Sequence, residues 1–371
     1  MIALKYATFI IRNRSKFVFR TPPRSDVLVY DRVNSKMIVD ALLKDIDYTI
    51  IETRGKQYHI SFRVIIQYIR NLYSYRLMPS KTYLLTLLKI VQPKVIVTFN
   101  HIRSFDTLIK YYHAEYLSIQ NGTIFQDNLA KYENKRYIPN LFCFGQKEIE
   151  LYNQSTTQVG NFFPVGSLKA GYFYEKLLTG DIVCKYDICL TSQFRIKNKK
   201  NSIFQKAFYK LNTHLSRFLK SHSINFVIAK RYNNDDFQSD YEDNYYRSIY
   251  GSVLLKDNIM EDFSSYYLLF ESEIVISVHS TLLHEALGFG RKVFFCNYLI
   301  NQAHHFHSNT ADFSYTNGSY DEFEVKLEKL LSLNYDQYLD QIANDQCYYM
   351  NFNPQAPAHR IIRNKIKGYI K

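Results

Sequence analysis

The chain has 371 residues and a mass of 44.1 kDa, long enough for two domains of ordinary size. Hydrophobic residues make up 46% and charged residues 22%, a globular balance that excludes a disordered tail, a collagen-like fibre and a low-complexity linker. Lysine and arginine number 47 against 34 acids, a net charge of +13, so an acidic partner is expected: nucleic acid, an anionic membrane or a phosphorylated small molecule.

The excess charge sits at the two ends. Residues 1–24 carry Lys5, Arg12, Arg14, Lys16, Arg20 and Arg24 and no acid, and residues 356–371 carry Arg360, Arg363, Lys365, Lys367 and Lys371 and no acid. Residues 25–355 hold 36 basic against 34 acidic groups, and this near-neutral body weakens a nucleic-acid reading. The five cysteines, Cys143, Cys184, Cys189, Cys296 and Cys347, are odd in number and form no C-x-x-C. Free thiols in a reducing cytoplasm are therefore expected. No apolar run approaches the length of a membrane span, and the apolar start precedes its basic residues, the reverse of a secretory signal.

Short apolar runs alternate with amphipathic stretches. Asp26–Asp31 reads as a first buried strand, 35–44 as a helix and Tyr48–Glu52 as a second strand. Helices follow near 60–74 and 81–91, the second stopping before Pro93. Lys94–Phe99 reads as a buried strand, and Ser104–His113 as a helix with Ser104 as its N-cap. Tyr116–Gln120 reads as a strand ending at the Asn121-Gly122 turn. Asn140–Phe144 is another strand, and a helix covers 146–153. The pattern restarts with strand Tyr186–Thr191, helix 203–221, strand Asn225–Ala229 and a helix near 240–250. Strand Glu273–Val278, helix Ser280–Gly288 and strand Lys292–Cys296 follow, then helices near 320–332 and 335–348. Such alternation predicts α/β domains with parallel sheets. The division expected is 1–170, 171–340 and a basic helical tail at 341–371. No Gly/Ser/Pro-rich linker separates the halves, so they are expected to pack closely.

The most informative stretch opens where strand Glu273–Val278 gives way to His279-Ser280-Thr281 and a helix. Backbone N–H groups at such a start favour a phosphate, and the helix dipole adds to the attraction. Glu285 lies four residues beyond Thr281, on the same helix face, where a carboxylate can accept the hydroxyls of a ribose. The plainer alternative makes Ser280 an N-cap and Glu285 a solvated residue.

The order strand, S-T-x-x-x-E-A-x-x-x-G, strand resembles the nucleotide-sugar motif of GT-B glycosyltransferases. More narrowly, STLLHEALGFGRKVFF (Ser280–Phe295), YLSIQNG (Tyr116–Gly122) and the 140–169 segment with LFCFGQKEIELY and FPVGSLK resemble bacterial surface-carbohydrate (O-antigen) biosynthesis proteins of that fold. The resemblance spans roughly residues 95–300. It implies two Rossmann-like domains facing across a cleft, the first for the acceptor and the second for a nucleotide sugar, with no metal or cofactor. It carries Ser280, Thr281 and Glu285 over as donor-site residues, with His279 beside them. It sets Gly166 and Ser167 at the inter-domain crossing, and Gln120, Asn121 and Gly122 in an acceptor-side loop at a strand's carboxyl end.

A cation is needed for the departing phosphate. Lys230 and Arg231 follow a strand end directly, and Arg195 follows another, so each is placed for charge-assisted hydrogen bonds; an ordinary solvated loop is the alternative for Arg195. An inverting transfer needs a base and a double displacement a carboxylate. The candidates are Asp127 first and His101 second, with Asp106 and Glu115 behind them. His304, His305 and His307 read as a surface loop rather than a metal site. Ile362, Ile366 and Tyr369 line one face of a basic C-terminal helix, so both basic ends are offered as contacts to an anionic membrane surface, useful for a lipid-linked acceptor.

The expected function is thus a cytoplasmic enzyme, peripheral on the inner face of the membrane, that transfers a sugar from a nucleotide donor to a surface polysaccharide. A GT-B sugar epimerase or polyol-phosphate transferase, and a nucleic-acid-binding protein, are the alternatives.

Overall fold

A computed structural model describes residues 17–30, 35–51, 58–100, 102–125, 129, 136–177, 182–196, 203–259, 263–298, 313–316 and 318–371. In the first half these form β1 (Phe17–Val18), β2 (Val27–Tyr30), α1 (Ser35–Leu42), β3 (Tyr48–Ile51), β4 (Tyr58–His59), α2 (Phe62–Tyr75), α3 (Pro79–Val91), β5 (Val95–Phe99), α4 (Phe105–Leu108), β6 (Glu115–Ile119), β7 (Arg136–Cys143), α5 (Gln146–Asn153), β8 (Thr157–Pro164) and α6 (Leu168–Leu177). The second half holds β9 (Tyr186–Thr191), α7 (Ile203–Ser221), β10 (Phe226–Ala229), α8 (Ser239–Tyr250), β11 (Leu254–Lys256), α9 (Ser264–Phe270), β12 (Ser272–Ser277), α10 (Thr281–Gly288), β13 (Lys292–Asn297), β14 (Ser314–Thr316), α11 (Tyr320–Ser332), α12 (Tyr335–Tyr349) and α13 (Ala358–Ile370).

Two six-stranded sheets result, ordered β3-β2-β5-β6-β7-β8 and β11-β10-β9-β12-β13-β14, and every pairing is parallel. The central strands are apolar without alternation, as VLVY in β2 and VIVTF in β5, because a parallel sheet is covered on both faces. Val27, Val29, Val95 and Val97 pack on one side with α1 and α13, and Leu28, Tyr30 and Ile96 pack on the other with α3. In the second sheet the chain steps outward from β9 to β11, then returns to β12 on the other side of β9. The gap between β9 and β12 is the point at which a doubly wound sheet opens a crevice at its carboxyl ends. This is the α/β architecture of two Rossmann-like units expected from the GT-B resemblance.

Several elements depart from expectation. The helix expected over Ser104–His113 is only Phe105–Leu108, and Ser104 is αR with no side-chain cap bond. Strand β7 starts at Arg136, ahead of Asn140, because residues 136–138 pair with β8 alone, and Pro139 interrupts the signal. Strand β8 itself, TQVGNFFP, is an edge strand with mixed burial, and its polar residues hide it. The apolar face of the C-terminal helix is not available to a membrane. Ala358, Ile362 and Ile366 are buried in the core of the first sheet. On its outer side Arg360 pairs with Glu175 and Arg363 with Asp45.

Two features hold the loop after β6. Gln120, buried at its start, donates from Nε2 to the Gly122 carbonyl at 2.9 Å and to Glu148 Oε1 at 3.2 Å, and accepts from the Phe144 N–H at 3.1 Å. Glu148, in α5, also accepts from the Gly145 N–H at 3.0 Å. One carboxylate therefore ties the ends of β6 and β7 together. Gly166 and Gly145 let the chain returning from α12 pass closely. A Cβ at Gly166 would lie 2.7 Å from the Asn351 carbonyl oxygen, and one at Gly145 would lie 2.3 Å from that of Tyr348.

Gly166 also sits at φ +81°, where a side chain is strained. Gly166→Ala is expected to cost about 2 kcal/mol or more in urea unfolding; a change of a few tenths would show that the crossing yields. Burial pushes the Glu148 carboxyl from its ordinary 4.5 up to about 7. A carboxyl raised in the fold stabilises it fully below the unfolded value and loses that contribution as pH rises through the folded value. Wild type should therefore lose stability between about pH 4.5 and 7, by an amount of order 3 kcal/mol. Glu148→Gln should flatten that slope in a pH series of melting temperatures, and equal slopes in the two proteins would count against the assignment.

Candidate functional site

The loop leaving β6 meets the helix start leaving β12. The Thr123 N–H donates to Thr281 Oγ1 at 3.2 Å, and a Cβ at Gly122 would touch the same oxygen at 3.4 Å. The Asn121 N–H donates to Asn100 Oδ1 at 3.3 Å, which ties in the end of β5. The structure thus brings Asn121, Gly122, His279, Ser280 and Thr281 to one junction, with Gln120 buried behind as the brace of the loop. Ser280 occupies the N-cap position in extended geometry, yet its hydroxyl makes no cap bond to the helix. That separates it from the plainer capping role.

His279 stands at the switch point. Its N–H donates to Gln193 Oε1 at 3.2 Å, and Gln193 Nε2 lies 2.7 Å from its Nδ1. The amide group facing Nδ1 can only donate, so Nδ1 carries the lone pair. Gln193 follows β9, so this pair bridges β9 and β12 where the crevice opens. The ring is stacked between Phe125, at 5.4 Å, and Phe204, at 4.7 Å. Gln193, Phe125 and Phe204 were not expected from the sequence. No local motif marks them, because Gln193 lies 86 residues from its partner.

Glu285 has almost no exposure. Its Oε1 accepts from Ser167 Oγ at 2.5 Å and its Oε2 from Tyr266 Oη at 2.9 Å. Burial pushes its pKa up, while the Ser167 bond, nearby Lys169 and Tyr266 pull it back. Both carboxylate oxygens, expected to face a ribose, are thus engaged by protein hydroxyls inside the junction. Ser167 also accepts from the Ala170 N–H at 3.3 Å, capping α6. Gly166 and Ser167 lie between β8 of the first sheet and α6. Within α10, His284 Nδ1 lies 2.9 Å from the Ser280 carbonyl, and burial drives its pKa down to about 3, so it is neutral.

The expected cations divide. Lys230, expected to face a phosphate, is turned inward: its side chain is 1% exposed and its ammonium lies 2.5 Å from Asp243 and 2.8 Å from Asp257. A strand-end lysine neutralised by two carboxylates is a structural ion cluster. Arg231 and Arg195 are exposed. The backbone under Arg231 is fixed by Glu242, whose buried carboxylate accepts the N–H groups of Arg231, at 3.0 Å, and Tyr232, and the Ser192 hydroxyl. Glu242 therefore grips the loops leaving β9 and β10 together.

Of the acid–base candidates, Asp127 and His101 lie outside the described residues, as do His304, His305 and His307. Asp106 accepts from the Tyr137 N–H near the opening of β7. Glu115 opens β6 and accepts from Asn140 Nδ2. Glu115 therefore lies at the amino end of its strand, opposite the junction, and it is removed from the site. Among the described residues no group of three or more His, Cys, Asp or Glu could hold a metal. A pocket of about 310 Å³ opens on the first-sheet side of the junction, lined by Asn100, Gln120, Gly122, Ile124, Tyr152 and Thr157 among others. The junction therefore offers the first turn of α10 and its hydroxyls on one side and a mixed pocket on the other.

No family profile matches the chain, and no curated protein matches it. Solved structures do. The chain is similar to the UDP-GlcNAc 2-epimerase of Methanocaldococcus jannaschii (TM-score 0.55, 11% identity, 92% of this chain and 99% of that one). It is similar to a glycosyltransferase from Rickettsia africae ESF-5 (TM-score 0.51, 13% identity, 94% and 99%). It is also similar to the wall teichoic acid polymerase TagF (TM-score 0.52, 14% identity, 94% and 90%). At these identities the likeness establishes the fold: two Rossmann-like units of the GT-B class.

Proposed function

We propose that the chain is a glycosyltransferase that moves a sugar from a nucleotide-activated donor to a growing surface polysaccharide of the O-antigen or capsule type. One observation carries this: the start of α10, at the switch point of the second sheet, faces the loop leaving β6 of the first. The donor's phosphates meet the N–H groups of the first turn of α10, the Ser280 and Thr281 hydroxyls and the side chains of Arg231 and Arg195. The nucleotide then belongs to 171–340 and the acceptor to 1–170, with the pocket beside Asn100 and Gly122 on the acceptor's path. Glu285 positions the site through Ser167 rather than touching the ribose. Asp127, with His101 as alternative, is assigned as the base that takes the acceptor's proton, from its place in the sequence after the β6 loop. With a lipid-linked acceptor, the chain works at the cytoplasmic face of the membrane.

The likeness to an epimerase keeps a second reading in view, that of a sugar epimerase acting on the same donor class. Thermal-shift measurements over uridine, cytidine and guanosine nucleotides should give a rise with one of them, since ligand at a hundredfold its Kd stabilises by about 2.7 kcal/mol. Thr281→Val should weaken that nucleotide about tenfold, the worth of one hydrogen bond to a charged group. No shift with any nucleotide, or wild-type affinity in the variant, would overturn the donor site. Product analysis with and without a glycan acceptor separates the two reactions: transfer needs the acceptor and epimerisation does not.

A further inference from the structure

The near-neutral sum over 25–355 conceals one strongly charged stretch. Residues 53–105 carry nine lysines and arginines and no acid. Within it, α2 is turned inside out. The face toward α3 is held by Val64 and by a polar knot, in which Asn71 Nδ2 donates to Thr86 Oγ1 at 2.9 Å and Gln67 Nε2 donates to Asn71 Oδ1 at 3.1 Å. The opposite face is apolar and exposed. Phe62, Ile65, Ile69, Leu72 and Tyr73 follow the helical repeat along it, Phe62 at 80% and Tyr73 at 81% exposure, and Met78 continues the patch beyond the helix. Arg63 and Arg70, one heptad apart, flank this stripe on one side, and Arg76 closes it. All three are exposed and form no ion pair among the described residues. Among the described residues no helix is long and apolar enough to cross a membrane.

We infer that this face of α2 docks on an anionic lipid bilayer, the aliphatic and aromatic row entering the headgroup boundary and the arginines meeting phosphates. A second copy of the chain fits less well, because like positive charge would face itself across the contact. A nucleic acid would use the arginines and leave the aliphatic row exposed. The surface differs from both basic ends, and the inference stands independently of the nucleotide-sugar reading.

The test is co-sedimentation of the full chain with phosphatidylcholine vesicles and with mixed phosphatidylcholine–phosphatidylglycerol vesicles. Wild type should pellet with the mixed vesicles and stay in solution with the neutral ones, and added salt should weaken its binding. Phe62→Ser with Ile69→Glu, and separately Arg63→Glu with Arg70→Glu, should each reduce binding about tenfold or more. Melting temperatures and nucleotide binding should be unchanged, because these side chains are exposed. The inference is overturned if wild type fails to bind anionic vesicles, or if both variants bind like wild type. It is also overturned if binding is lost only when Lys5, Arg12 and Arg14 are changed to Gln, or if sedimentation velocity shows a dimer that Ile69→Glu dissociates.

Discussion

A carboxylate removed from water must find donors on every side, and this requirement sets the junction between the two sheets. Glu285 meets it with Ser167, from the turn into α6, and Tyr266, from α9. Two elements thereby converge on one buried group of α10. Thr281 lies one turn earlier on that helix, so fixing Glu285 fixes where the helix start points. Two other buried glutamates act in the same way at the carboxyl ends of the strands. Glu148 binds the loops leaving β6 and β7, and Glu242 binds those leaving β9 and β10. The loops that form the site are thus held from within, by acids that do not themselves face it.

The layered architecture was legible because buried parallel strands write themselves as unbroken apolar runs; VLVY, VIVTF and EIVIS all became central strands. The helix start at Ser280 was legible too, since strand, small hydroxyl residues and glycine follow in local order. What the sequence hid depends on distance. Gln193 and His279, or Ser167 and Glu285, meet only through tertiary folding, and no spacing rule pairs them. Lys230 was read as a phosphate group because a strand end places it well, but Asp243 and Asp257, which neutralise it, come from α8 and the loop after β11. Glu115 was misjudged for the opposite reason: a strand has two ends, and only one borders the site. Strand β8 was missed because an edge strand is half wet, and Pro139 and polar residues erased its neighbour's start.

Charge followed the same logic. A total of +13, with most of it at the termini, suggested two local tethers. The C-terminal helix shows why composition alone misleads: a basic amphipathic helix looks the same in sequence whether its apolar face meets lipid or the protein's own sheet. Here Ile362 and Ile366 complete a core. In α2 the relation is reversed, since a polar knot faces inward and the apolar row faces out. Burial, rather than amphipathicity, distinguishes the two helices.

The docking of α13 also bears on the order in which the molecule can assemble. Its Ile362 and Ile366 share one cluster with Val27, Val29, Val95 and Val97, so one face of the first sheet is sealed by residues that follow the whole second sheet in the chain. During synthesis that face emerges long before its cover and waits, apolar and open, while the whole second sheet is produced. Native contacts of such wide sequence separation close slowly, and an uncovered sheet is prone to aggregate meanwhile. The two units therefore do not mature one after the other; the first is completed only when the second has been made.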